Sequence, residues 1–110
     1  MTGTEKIART LLREGEDDWW PIDVLIWHAR EVSPESADDF KSVAVAVLRF
    51  LLFEELATVG DIGESGFESW STSLDETVEM VVSKCEAVNW EPLGGLCWMS
   101  NTAKGNRYIQ

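Results

Sequence analysis

Residues 43–53 read VAVAVLRFLLF, an apolar run broken only by Arg49. A membrane-crossing helix needs roughly 20 such residues, and this run is too short for one. A soluble helix that is apolar nearly all round has to be covered on nearly every side. The run therefore predicts a central third helix, starting at Pro34 or Ser36 and ending at about Leu56, around which the other elements wrap. With 110 residues, 45% of them hydrophobic, and six tryptophans, the chain can build one real core. The expectation is a single domain over residues 1–110.

The flanking segments supply the wrapping elements. Ile7, Ala8, Leu11 and Leu12 share one face of a helix over 4–14, with Glu5 and Arg9 at i,i+4 spacing and Gly15 as its stop. Pro21 suits the first turn of a second helix, favoured by Asp23, whose buried stripe is Ile22, Leu25, Ile26 and Ala29 and which ends near Val32. LATVGDI reads as a strand, and GESGFESW as a glycine turn into a second extended piece. Ser73 with Glu76 forms a capping box opening a fourth helix, and Leu74, Val78, Val81, Cys85 and Val88 make its inward seam. After Pro92 and the Gly94-Gly95 turn comes a strand in LCWMS, and Thr102 caps a last turn through Tyr108. The strand at 57–62 and that at 96–99 are expected to pair antiparallel, with the fourth helix between them in sequence.

This order, together with the segment WMSNTAKG, resembles the winged-helix proteins over roughly residues 20–62 and 96–109. The fold class expected is mainly α with a small β-hairpin or wing, a winged-helix-like α+β single domain. What the resemblance implies is DNA binding through the third helix. The residues oppose that: a reading helix presents Arg, Lys, Asn or Gln to base edges, and this one is apolar. The inserted fourth helix also departs from the common pattern.

Charge points the same way. The formal net charge is -11, and from Glu54 to Glu91 ten carboxylates face only Lys84. A second cluster, Glu14, Glu16, Asp17, Asp18 and Asp23, surrounds the first interhelix connection. Such a field repels phosphate and attracts basic proteins; solubility alone is the plainer account. Asp61, Glu64, Glu68, Trp70, Asp75, Glu76 and Glu79 are the candidate partner-binding residues. Trp70 is read as exposed among carboxylates, the pattern of a hot spot for a basic partner, or else as a lid on the fourth helix. Asp75, Glu76 and Glu79 have no cation at i,i+4. Trp27 and Trp98 are assigned to the core, and Trp19 and Trp20 to stapling the second helix.

Little in the chain suggests catalysis. His28 is the only histidine, and Cys85 and Cys97 lack Cys-x-x-Cys spacing, so no metal site is expected. Both cysteines are read as buried thiols of a reducing cytoplasm, a single bridge being the other option. Gly60, Gly63 and Gly66 mimic a phosphate loop, but Asp61 and Glu64 stand among them and no Lys follows. The N-terminus has no signal-peptide pattern. An enzyme would need a site the sequence does not display, and no cofactor is expected. In size, charge and general design the chain is similar to the immunity proteins of contact-dependent growth inhibition and related polymorphic toxin systems. That resemblance implies a cytoplasmic bacterial protein that neutralises a basic partner, such as a cognate toxin nuclease domain, with no nucleic-acid or membrane partner. The alternative is a winged-helix-type transcriptional regulator acting through protein contacts, without strong DNA contacts.

Overall fold

The computed structural model describes residues 3–32 and 39–110. In chain order the elements are α1 (Gly3–Glu14), β1 (Trp20–Pro21), α2 (Ile22–Val32), α3 (Asp39–Phe53), β2 (Ala57–Gly63), β3 (Gly66–Ser69), α4 (Leu74–Ala87), β4 (Trp98–Asn101) and α5 (Ala103–Tyr108). The fold is mixed α+β. Its strands form one antiparallel sheet in the order β1-β4-β2-β3. The expected pairing is present: Val59 faces Met99 and Ala57 faces Asn101, with α4 in the intervening chain.

The helix stripes fall as their periodicity predicts. Ile7, Ala8, Leu11 and Leu12 of α1 are buried, as are Ile22, Leu25, Ile26 and Ala29 of α2. Helix α3 buries Phe40, Ala44, Val47, Leu48 and Leu51, half-buries Val43, Val45, Phe50 and Leu52, and contacts α1, α2, α4 and β2. It is the core's axis. The proposed starts of this helix, Pro34 and Ser36, lie outside the described residues.

Both long helices stop differently from the expectation, for one reason. Glu55 takes a left-handed φ of 59°, so the Leu56 N–H reaches back to Leu51 O (2.8 Å) and the Glu55 N–H to Leu52 O (3.1 Å). The same pattern ends α4: Asn89 has φ 54°, the Trp90 N–H meets Cys85 O (2.7 Å) and the Asn89 N–H meets Glu86 O (3.1 Å). These are Schellman closures, which satisfy the last carbonyls and aim the following residue inward. Leu56 and Trp90 are accordingly only 1% and 3% exposed. Helix α3 thus ends at Phe53 rather than Leu56, and Val88, expected on the α4 seam, is an exposed C-cap.

Three further expectations need correction. Trp27, assigned to the core, is 57% exposed, because Ile26 and Ala29 already fill the inward face of α2. Pro21 lies in β1 just before the helix, facing Trp98 at the sheet edge, where its missing N–H leaves no ladder bond unmade. Trp98, likewise assigned to the core, is half-buried on the outer face of the sheet, since its neighbours Cys97 and Met99 take the inward positions. The Ser73–Glu76 capping box is present in both halves, and Thr102 caps α5 by accepting from the Gly105 N–H.

One side chain ties the ends of the chain together. Asn101 Nδ2 donates to Leu12 O (2.7 Å) and Asn106 Oδ1 (3.0 Å), while its Oδ1 accepts from Trp20 Nε1 (3.1 Å). Asn101→Ala should strand the Trp20 donor and the Leu12 carbonyl together, costing about 2–4 kcal/mol in a urea unfolding curve. Leu48→Asp or Val81→Asp places an unpartnered charge where only 1% or 3% of the residue is exposed. Either should abolish the cooperative thermal transition, and a variant that keeps its melting temperature would contradict these helix faces.

Candidate functional site

The candidate carboxylates divide into two groups. Asp61 and Glu68 form a cross-strand pair in the β2–β3 hairpin, and Glu64 is exposed at its two-residue turn. Glu68 folds its carboxylate across Gly63, occupying the space a Cβ would need there. The glycine series is thus built into the hairpin, and Gly66 takes the left-handed φ of 109° that its turn demands. Asp75, Glu76 and Glu79 are exposed on α4.

Several of these residues already have intramolecular roles. Trp70 Nε1 donates to Asp61 Oδ2 (2.8 Å), and Lys84 Nζ sits 5.9 Å from the Trp70 ring centroid. Trp70 is half-buried against the core, so it lids α4 rather than standing free. Asp75, which lacks a cation on its own helix, receives one from α3: Arg49 Nη1 lies 3.1 Å from its Oδ1. Glu76 closes the capping box on the Ser73 N–H (3.3 Å). Glu64, Glu68 and Glu79 have no ion-pair partner among the described residues.

A different surface carries Trp19 and Phe67. Strand alternation and the β2–β4 register put Thr58 with Ser100, and Gly60 with Trp98, on one face of the sheet, opposite the face on which Val59 and Met99 enter the core. The same alternation continues this outer face to Ile62 and Phe67, directly paired across the hairpin. Phe67 lies over Gly60, its Cζ 2.9 Å from where a Cβ would stand, and stacks on Trp19 at 6.2 Å and 30°. Trp19 and Ile62 are 42% and 41% exposed. Trp19 therefore reaches across the sheet and does not staple α2 as its position before the helix suggested.

The Trp19–Phe67 stack joins the two acidic segments that are distant in sequence. Trp19 follows Glu16, Asp17 and Asp18, all exposed, and Phe67 lies between Glu64 and Glu68. An open groove lies beside them, lined by Glu16, Asp17, Asp18, Trp19, Ser100 and Asn101. All nine lysines and arginines lie in helices, so neither the sheet nor its connecting loops contains a cation. The helices balance part of their own charge; this face does not. Sequence reasoning missed the surface because nothing local pairs residue 19 with residue 67, although Trp-after-DD was a usable signal.

The exposed stripe of α3 comprises Asp39, Ser42, Ala46, Arg49 and Phe53. Its one arginine is the residue bonded to Asp75. His28 makes a 3.2 Å contact with Glu14, and among the described residues no cluster of His, Cys, Asp and Glu is arranged to hold a metal ion. No described helix is long and apolar enough to cross a membrane. Comparison with family models, with curated proteins and with solved structures returned no match.

Cys85 and Cys97 are free and fully buried, so no bridge joins them. Burial, followed by the charges of Asp23 and Glu86, pushes the Cys85 thiol from 9.0 up to about 11. Burial pushes Cys97 up to about 12, with Cys85 adding to it and Lys84 opposing. Each thiol holds its proton more tightly in the folded chain than in the unfolded one. The resulting stability is intact below pH 9 and is lost as pH climbs through 11 to 12. Native protein at neutral pH should therefore react slowly with a thiol reagent and label rapidly once unfolded. Cys85→Ala and Cys97→Ala should each flatten the alkaline decline of the urea midpoint. An unchanged decline, or fast native labelling, would contradict this placement.

Proposed function

We propose that the protein binds a basic protein partner and neutralises it, in the manner of the immunity proteins it resembles in size and charge. The observation that carries this reading is the Trp19–Phe67 stack, which sets partly exposed aromatic area beside the exposed carboxylates Glu16, Asp17, Asp18 and Glu64, on a sheet whose strands and connecting loops contain no lysine or arginine. Aromatic anchors supply affinity, and like charge around them raises the encounter rate with an oppositely charged partner. Asp61, Glu64, Glu68, Asp75, Glu76 and Glu79 contribute to the field, with Glu68 next to Phe67 in sequence and Glu64 in the turn before it. A toxin nuclease domain, with its positive phosphate-binding cleft, is the partner class that fits best, and the cytoplasm is where such a protein acts. The regulator reading has less support, since the exposed stripe of α3 carries a single cation already engaged by Asp75.

The test is binding to the purified product of the adjacent gene, followed by surface plasmon resonance across a salt series. Association should slow as salt rises, while dissociation changes little. Trp19→Ala should cost about 2 kcal/mol. Reversal of Glu16, Asp17 and Glu64 to Lys should slow association by about 100-fold, more than reversal of Glu68, Asp75 and Glu79. Equal binding by all variants at salt-independent rates would reduce the acidic face to a solvated surface. Salt-sensitive binding of duplex DNA, read by fluorescence anisotropy, would favour the regulator instead.

A further inference from the structure

The sheet has two edges, and the chain guards only one of them. Strand β1 is two residues long and carries Pro21, which has no N–H to offer a further strand. The other edge is β3, with Gly66, Phe67, Glu68 and Ser69 in unbroken register on β2. It contains no Lys, no Pro and no bulge, the devices that usually keep another strand away.

One bond fixes the direction of every β3 backbone group. The Trp70 N–H donates to Val59 O (2.9 Å), which makes Val59 and Trp70 a hydrogen-bonded pair. Bonded and non-bonded pairs alternate along an antiparallel ladder, so Asp61–Glu68 and Gly63–Gly66 are the other bonded pairs. Ile62–Phe67 and Gly60–Ser69 are non-bonded, and the N–H and C=O of Phe67 and Ser69 therefore point away from β2. No strand lies on that side, and among the described residues no turn or loop bonds to these groups. The side chains leave the edge bare as well: Phe67 leans back over Gly60 and Glu68 folds across Gly63, both glycines of β2.

We propose that this edge accepts an extended basic segment of the partner as a fifth, antiparallel strand, with Lys or Arg opposite Glu68 and apolar residues opposite Phe67 and Ser69. The inference rests on the basic-partner reading and adds how that partner is held. The residue opposite Glu68 belongs to a non-bonded pair, the position at which side chains across a ladder come closest. It meets Glu68 with Asp61 alongside, on a sheet whose strands and loops hold no lysine or arginine, so a basic side chain is favoured there and an acidic one repelled. Its neighbours alternate to the outer face, where Phe67 stacks on Trp19. A second copy of this chain fits badly. Paired so that both Phe67 and Ser69 are used, two β3 strands set Glu68 directly against Glu68.

The probe is the capped peptide acetyl-Val-Lys-Val-Lys-Val-amide, titrated into ¹⁵N-labelled protein. The Phe67 and Ser69 amide signals should move downfield in a saturable way, with a dissociation constant of about 1 mM for so short a strand. The Glu68 amide, already bonded to Asp61, should move less. Methylation of the valine nitrogens, which face β3 when a lysine opposes Glu68, should abolish binding, and methylation of the lysine nitrogens should not. Ser69→Pro removes an outward N–H but no ladder bond, so it should keep the melting temperature and lose the peptide. Glu68→Gln should weaken the peptide about threefold. Absence of a saturable shift, equal binding of the two methylated peptides, or undiminished binding by Ser69→Pro would overturn the proposal. So would sedimentation of the free protein as a dimer that Ser69→Pro dissociates, since the edge would then belong to a second copy. Ser69→Pro retains Trp19 and every carboxylate, which separates this inference from the reading beneath it. A purified partner that binds Ser69→Pro as well as wild type removes the added strand alone, whereas one that ignores wild type removes the basic-partner reading.

Discussion

Everything else in this structure follows from the need to cover α3. Its apolar residues extend round most of the helix, and one neighbouring helix can shield only one stripe. Helices α1, α2 and α4 and strand β2 each contact it, leaving outward only the line from Asp39 through Arg49 to Phe53. That arrangement sets the chain's path: two helices must precede α3, and α4 must be inserted before the last strand so that it can close the remaining side. The sheet is then free to have one face on this core and the other in water, as antiparallel sheets commonly do. The outer face is therefore a consequence of how α3 is buried.

The stops at Glu55 and Asn89 are the joints of this design. A non-glycine residue in the left-handed region is uncommon and costs on the order of 1 kcal/mol. In both places the next residue is a large apolar one that becomes buried. Leu56 also provides a carbonyl for the Thr102 N–H (3.0 Å), and Gly105 lacks a Cβ that would collide with that same carbonyl. The end of α3 thereby organises the start of α5. Trp90 plays the matching part for α4, bringing the chain over α2, where Arg30 donates to its carbonyl.

How legible this was depends on the range of the interaction. Periodicity located the buried stripes of α1 and α2 residue by residue, because a helix face is written in i, i+3 and i+4 spacing. The Ser73–Glu76 box and the Thr102 cap were equally local. Glu55 and Asn89 were not readable as stops, since neither position holds the glycine that usually marks one. Trp27 illustrates another limit: hydropathy alone cannot say which of several apolar residues on one helix is surplus to the core. The Arg49–Asp75 pair and the Trp19–Phe67 stack are long-range in sequence, so neither the neutralisation of Asp75 nor the joining of the acidic segments could be foreseen. The candidate site was thus legible as a charge imbalance but not as a place.

The distribution of cations carries that imbalance further. Repulsion within a chain of this charge is lowest when lysines and arginines are interspersed with carboxylates, and on the helices they are: Arg49 meets Asp75, and Lys84 lies over Trp70, whose indole holds Asp61. On the sheet the opposite holds. Asp61 and Glu68 stand directly across from each other, a like-charge pairing that weakens a hairpin, and no cation lies in any strand or connecting loop. By strand alternation that pair lies on the face opposite Ile62 and Phe67, so the aromatic face is bordered instead by Glu64 of the turn and by Glu16, Asp17 and Asp18. Trp19 and Ile62 are thus left partly exposed beside carboxylates that no lysine or arginine of the strands or their connecting loops offsets.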